Sequence, residues 1–192
     1  MIPMNKSTTA LLCMDCQNAI VAGIAGSQPD FLPRAAATLA AARAAGIQVI
    51  YIQVAFRPGL PEISPRNKLF SALKTDPARA QMFAGEGAAI HPAVAPQDGD
   101  IIVVKHRVSA ITGTDLEMIL RAKGIENLVL FGLATSGVVL STLVGTVDLD
   151  YNVTVLSDLC GDRDPELHTA LMTKYFVSRG EVITAEAFRS QL

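Results

Sequence analysis

The sequence predicts the α/β class, with a parallel sheet covered on both faces by helices. Three observations carry this. Short strand-like runs alternate with longer helical segments along the chain. Runs such as "ALLCM", "IIVV" and "LVLF" are apolar at every position, as strands buried on both faces must be. The 192 residues, 50% of them hydrophobic, are enough to build a full core.

The elements follow in order. Residues 9–15, "TALLCMD", form the first strand. Asp30 is placed to cap an Ala-rich helix that Gly46 stops. Residues 47–56, "IQVIYIQVAF", are β-branched and form the second strand. Residues 57–100 are rich in Pro and Gly and too long for an ordinary βα loop. They are read as a structured excursion or lid with a short helix near 78–83. The third strand is "DIIVVKHRV", residues 100–108. A helix over 114–124 places Leu116, Ile119 and Leu120 on one face and stops at Gly124. The fourth strand is 127–132, followed by a helix over 137–148. The fifth is 152–158, followed by a helix over 165–180, and "EVITAE", residues 181–186, is the sixth.

Composition excludes several classes of function. A net charge of −2, with no basic stripe interleaved with aromatics, argues against a nucleic-acid partner. No run approaches the ~18 apolar residues of a membrane span, and the opening residues lack a signal peptide's pattern. Cys13, Cys16 and Cys160 are an odd set without disulfide-framework spacing, which fits a reducing cytoplasm. Cys13-x-x-Cys16 matches a redox pattern formally, but Cys13 lies inside an apolar strand, not in a loop before a helix. His91, His106 and His168 are scattered, so no metal site is expected. No glycine-rich phosphate loop follows the first strand, so no nucleotide cofactor is expected either.

In open α/β sheets ligands bind beyond the carboxyl ends of the strands. That rule selects Asp15, Arg57, Lys105, the "GLATS" turn and residues 158–162. Asp15 follows "ALLCM" and Lys105 follows "IIVV", where a lone charge is costly. Two arrangements solve this. Either the strand ends converge and the two groups pair into a proton-handling device, or Asp15 caps its loop and Lys105 reaches solvent. Arg57, Lys105, His106 and Arg107 make the mouth positive, either as a site for an anionic ligand or as a solvated rim.

Three stretches resemble the isochorismatase-like hydrolases. "ALLCMDCQN" is similar to that family's opening strand ending Asp-x-Gln-Asn, in which Asp15 is the aspartate and Gln17 the glutamine. "VVKHRVSAITGTDLEMIL" is similar to its lysine segment, beginning at Lys105 and passing through Arg107. "LVLFGLATSGVVLSTLVGTVDLDYNVTVLSD" resembles its Gly-x-x-Thr turn and following helix. They occur in the family's order across most of the chain, so residues 1–192 are read as a single domain.

The resemblance implies a three-layer α/β/α Rossmann-like domain with a six-stranded, mainly parallel sheet, assembled as a dimer or tetramer, acting on a small molecule without a cofactor. Many members hydrolyse C–N bonds with an Asp, Lys and Cys triad. Here the cysteine position holds Val138, which cannot be a nucleophile. True isochorismatases cleave a vinyl ether without that cysteine, the aspartate serving as acid. The expectation is therefore a hydrolase of a small, anionic metabolite, with Asp15 as acid/base and Lys105 as its partner. Gln17, Arg57, Arg107, Leu133, Ala134, Thr135, Ser136 and Val138 would contact substrate, and the backbone of the turn would cradle it. The family's cis peptide would fall at Leu133–Ala134. The alternatives are an inactive member that binds a small acid or serves as a scaffold, and a hydrolase using another thiol such as Cys160. The family's Asp-x-His metal segment is replaced by "VAFRPGLPEISPRN", which argues against a nicotinamidase. Ile111 stands where Phe is common.

Overall fold

The computed structural model describes residues 5–25 and 28–192; the first four residues of the opening stretch judged above for a signal peptide lie outside them. Six strands form one sheet: β1 (Thr9–Met14), β2 (Gln48–Val54), β3 (Ile101–Lys105), β4 (Asn127–Leu133), β5 (Asn152–Gly161) and β6 (Glu181–Ile183). Their order is β3-β2-β1-β4-β5-β6, and every pairing is parallel. The chain builds outward from β1 to β3, then returns to the other side of β1 for β4. The crevice between the ends of β1 and β4 is therefore the topological switch point, where this architecture opens for ligands.

The helices are α1 (Asn18–Ile24), α2 (Phe31–Ala44), α3 (Lys68–Ser71), α4 (Pro77–Gln81), α5 (Gly85–Ala88), α6 (Leu116–Ala122), α7 (Leu140–Val147), α8 (Pro165–Ala170) and α9 (Ala185–Arg189). They complete a three-layer α/β/α domain. In α2, Ala35, Leu39 and Ala42 recur at helical spacing and are buried. Gly46, at φ +77°, supplies the left-handed residue that ends this segment. No helix among the described residues is long and apolar enough to cross a membrane.

Several boundaries differ from expectation for identifiable reasons. Asp30 occupies the N-cap position of α2, but its side chain makes no capping bond; it lies 3.9 Å from Arg34 instead. The helix α1 carries no N-cap side-chain signal and is too short to show a period. "EVITAE" breaks at Thr184, whose side chain accepts from the Ala187 N–H and starts α9. Helix 165–180 is interrupted: α8 passes into a wider π-type turn at Leu171–Tyr175 and a tighter turn at Phe176–Ser178. β5 continues to Gly161 because its register with β4 shifts, setting Cys160 opposite Gly132. That overrun carries the chain to the mouth of the crevice.

The 57–100 excursion is structured, as expected. Its short helices gather around Phe56, whose ring centroid lies 5.3 Å from Phe70 and 5.9 Å from Phe83. Buried Ile63, Phe70 and Leu73 make a small core of their own under it.

Candidate active site

Asp15 sits where β1 ends, and the backbone turns sharply there, at φ +55°. This left-handed conformation costs an ordinary residue roughly 1–2 kcal/mol, and Asp is among the few that visit it routinely. The turn is held by the Asp15 N–H, which donates to the Ile52 carbonyl at 2.8 Å. Lys105 ends β3, two strands away, a separation of about 10 Å at ordinary strand spacing. It shares the buried face of β3 with Val103, and its long stem crosses the end of β2.

Lys105 Nζ lies 2.9 Å from Asp15 Oδ2, with side chains 3% and 8% exposed. The ammonium also donates to the Arg107 carbonyl at 3.1 Å. Asp15 Oδ1 is buried without a hydrogen-bond partner among the described residues. Burial pushes the Asp15 carboxyl up, while the charge and hydrogen bond of Lys105 pull it back, leaving it at about 6. Such a group is largely ionised at neutral pH yet close enough to exchange protons in both directions.

The second half of the site is the turn after β4. Gly132 has φ +150°, and a Cβ there would collide with the Met14 carbonyl oxygen, so only glycine lets β4 lie this close to β1. The Leu133–Ala134 peptide is cis. A π-type turn, Thr135–Val139, leads into α7. The Thr135 hydroxyl is buried and meets His168 Nδ1 at 2.8 Å. The Ser136 N–H donates to Asp162 Oδ2 at 2.7 Å. The N–H groups of Gly137 and Val139 both donate to the Ala134 carbonyl. Burial raises Asp162, but hydrogen bonds from Ser136 and from the Arg163 and Asp164 backbones hold it below its ordinary value. Burial lowers His168, with Asp162 opposing. The loop after β3 folds back over this turn: Val108 lies against Gly137, and the Ala110 N–H donates to Thr142 Oγ1 at 3.0 Å.

The structure thus pairs Asp15 with Lys105 and sets the 133–136 turn after β4, beside the end of β1, and disperses other residues selected from sequence. Gln17 is fully buried, and its amide is spent on the backbone. Its oxygen accepts from the Val54 N–H at 2.9 Å, and its nitrogen donates to Val54 and Ala88 carbonyls at 3.0 and 2.7 Å. It clamps β2 to the segment around α5 and has no group left for a substrate. Arg57 is 70% exposed and paired with Glu62 at 2.7 Å. Arg107 donates to the His106 carbonyl at 2.6 Å and remains half-buried. The expected positive mouth is therefore largely compensated, Lys105 by Asp15 and Arg57 by Glu62.

The ring of turn N–H donors expected for substrate is also reduced, because those of Ser136, Gly137 and Val139 have internal acceptors. Val138 is buried and packs in the core. Cys160 is buried, and burial pushes its thiol up to about 12, so the thiolate is disfavoured at neutral pH. His168 is the contributor that sequence reading missed. It resembled an isolated helical histidine, and the only hint was its place just after the fifth strand.

A doubly wound parallel sheet with a buried ion pair joining the ends of β1 and β3 places the chain in the α/β class. Comparison with known proteins specifies the family. The isochorismatase domain matches residues 9–187. A ureidoacrylate amidohydrolase, RutB, of Stutzerimonas stutzeri is 37% identical over 185 residues, covering 86% of this chain and 74% of that protein. An isochorismatase family protein of Burkholderia thailandensis superposes with a TM-score of 0.82 at 30% identity, covering 100% of this chain and 99% of the other. The N-carbamoylsarcosine amidase of Thermoplasma acidophilum gives a TM-score of 0.73 at 25% identity, covering 93% and 97%. The chain belongs to the isochorismatase family, and it is a hydrolase of that family.

Proposed function

We propose that the protein hydrolyses a C–N bond of a small ureido or N-carbamoyl carboxylate, with water as the nucleophile and Asp15 moving the proton. The observation that carries this reading is Asp15 Oδ1, a buried carboxylate oxygen with no partner among the described residues, beside Lys105 and next to a strand, β4, that runs into a turn without a thiol. Ionised Asp15 takes a proton from water, whose oxygen bonds to the substrate carbonyl carbon. The C–N bond then breaks, and Asp15 returns the proton to the departing nitrogen. The products are an acid and an amine, and the carboxylate ends as it began. The Lys105 ammonium keeps Asp15 ionised and offsets the negative charge that develops at the carbonyl. The Leu133, Ala134 and Thr135 backbone and the Val138 wall hold the substrate, and Arg107 at the mouth favours its carboxylate. The names of the two amide-cleaving relatives support the substrate class, since ureidoacrylate and N-carbamoylsarcosine both join a carbamoyl nitrogen to a carboxylate.

The test is release of ammonia or amine from ureidoacrylate and N-carbamoylsarcosine by wild type and by Asp15→Asn, with thermal melting alongside. Turnover lost in Asp15→Asn while the fold persists supports the reading. Ligand-induced melting shifts without any turnover overturn it in favour of a binding protein.

We also propose that the chain assembles with copies of itself through the outer face of edge strand β3. Ile102 and Val104 stand there 49% and 45% exposed, a cost that a partner's surface would remove.

A further inference from the structure

We infer that His168 is a positioning residue: acting through Thr135, it fixes the turn that lies beside Asp15 at the switch point. The inference rests on the proposed reading of that turn as the substrate cradle. Thr135 is fully buried, so its hydroxyl needs a partner inside the protein, and His168 Nδ1 supplies it at 2.8 Å. The next residue, Ser136, is held through its N–H by Asp162 Oδ2 at 2.7 Å. Two successive residues of the turn are therefore tied to one segment, that running from the end of β5 into α8.

That segment is itself braced. Asp162 Oδ1 accepts from the Asp164 N–H at 3.3 Å, and Asp164 caps α8 through the N–H groups of Glu166 and Leu167, both at 3.0 Å. The register Met14 opposite Gly132 sets the beginning of the turn against the end of β1, where Asp15 follows. The imidazole works on the site only through Thr135. The charge that acts on it is Asp162, just after β5; Thr135 is its neutral partner on the turn.

The contact uses Nδ1, and this makes the role testable by shape. An asparagine amide lies near the place of Nδ1, whereas a glutamine amide lies near that of Nε2. The experiment is an NMR comparison of wild type with His168→Ala, His168→Asn, His168→Gln, Thr135→Val and Thr135→Ser. It follows hydrogen exchange at the Ser136 amide and titration of the Asp15 carboxyl. In His168→Ala and Thr135→Val the Ser136 amide exchanges roughly three- to tenfold faster, the loss of about one hydrogen bond. Water admitted by the loosened turn also draws the Asp15 midpoint down from about 6. His168→Asn and Thr135→Ser keep both readouts at wild type, and the His168→Ala, Thr135→Val double variant is no worse than either single one. The inference is overturned if His168→Gln rescues as well as His168→Asn, or if Thr135→Val leaves both readouts unchanged. Thr135→Val conserves shape and so serves if His168→Ala does not fold. Neither readout requires turnover, so a failure here is distinct from an active Asp15→Asn enzyme, which would defeat the hydrolytic reading.

Discussion

Lys105 Nζ and Asp15 Oδ2 meet at 2.9 Å although β2 separates their strands. The pair exists because β1 ends in a left-handed Asp and β3 ends in the side chain long enough to cross β2. It is largely buried and leaves one carboxylate oxygen free of internal partners among the described residues.

Breaking the pair leaves a buried charge uncompensated. Lys105→Met lowers stability by about 3–5 kcal/mol near neutral pH, in urea unfolding. The sign of the pH dependence follows from Asp15, whose carboxyl is raised from 3.8 to about 6. A carboxyl that binds its proton more tightly in the folded chain stabilises the fold at low pH, and that contribution fades as pH rises through about 6. With the ammonium gone the midpoint rises further. The Lys105→Met deficit is largest above that range and shrinks as pH falls towards 4, which unfolding at about pH 5 and about pH 8 resolves.

Gly132→Ala places a methyl group against the Met14 carbonyl in a backbone conformation that alanine resists. The expected loss is about 3 kcal/mol or more, measured by thermal or denaturant unfolding, with β1 and β4 forced apart at the site.

How much of this was legible in the sequence depended on whether the signal was local. The six strands were, because each is a short apolar run bounded by polar or glycine residues, and Asp15 and Lys105 stood out as charges ending such runs. The pairing of Asp15 with Lys105 is open in the sequence because it depends on strand order. The sequence points Gln17 and Arg57 at substrate because their partners, Val54 with Ala88 and Glu62, come from tertiary packing and from the irregular 57–100 excursion. His168 was unreadable for a similar reason: only the overrun of β5 to Gly161 brings α8 against the turn.

The three cysteines are buried, and burial is the first reason that the Cys13 thiol lies well above its ordinary value and Cys160 at about 12. Iodoacetamide is expected to label the folded protein far more slowly than the unfolded chain, and Cys160→Ala to keep full turnover. Rapid labelling of Cys160 with parallel loss of activity would return the thiol mechanism.

Charges on the outer face of β3 test assembly. If the chain assembles through this face, Ile102→Lys with Val104→Lys is expected to leave the fold intact and to lower the mass in light scattering coupled to size exclusion from an assembly to a monomer, since both side chains are already about half exposed. An unchanged mass would place the interface elsewhere.

The most direct measurement is the pH dependence of kcat/KM for hydrolysis of an N-carbamoyl carboxylate such as ureidoacrylate. With Asp15 as the base, the rate rises with pH through a midpoint at about 6, and Asp15→Asn has no measurable turnover at any pH. A rate that falls through that midpoint, or one that survives in Asp15→Asn, would contradict the account.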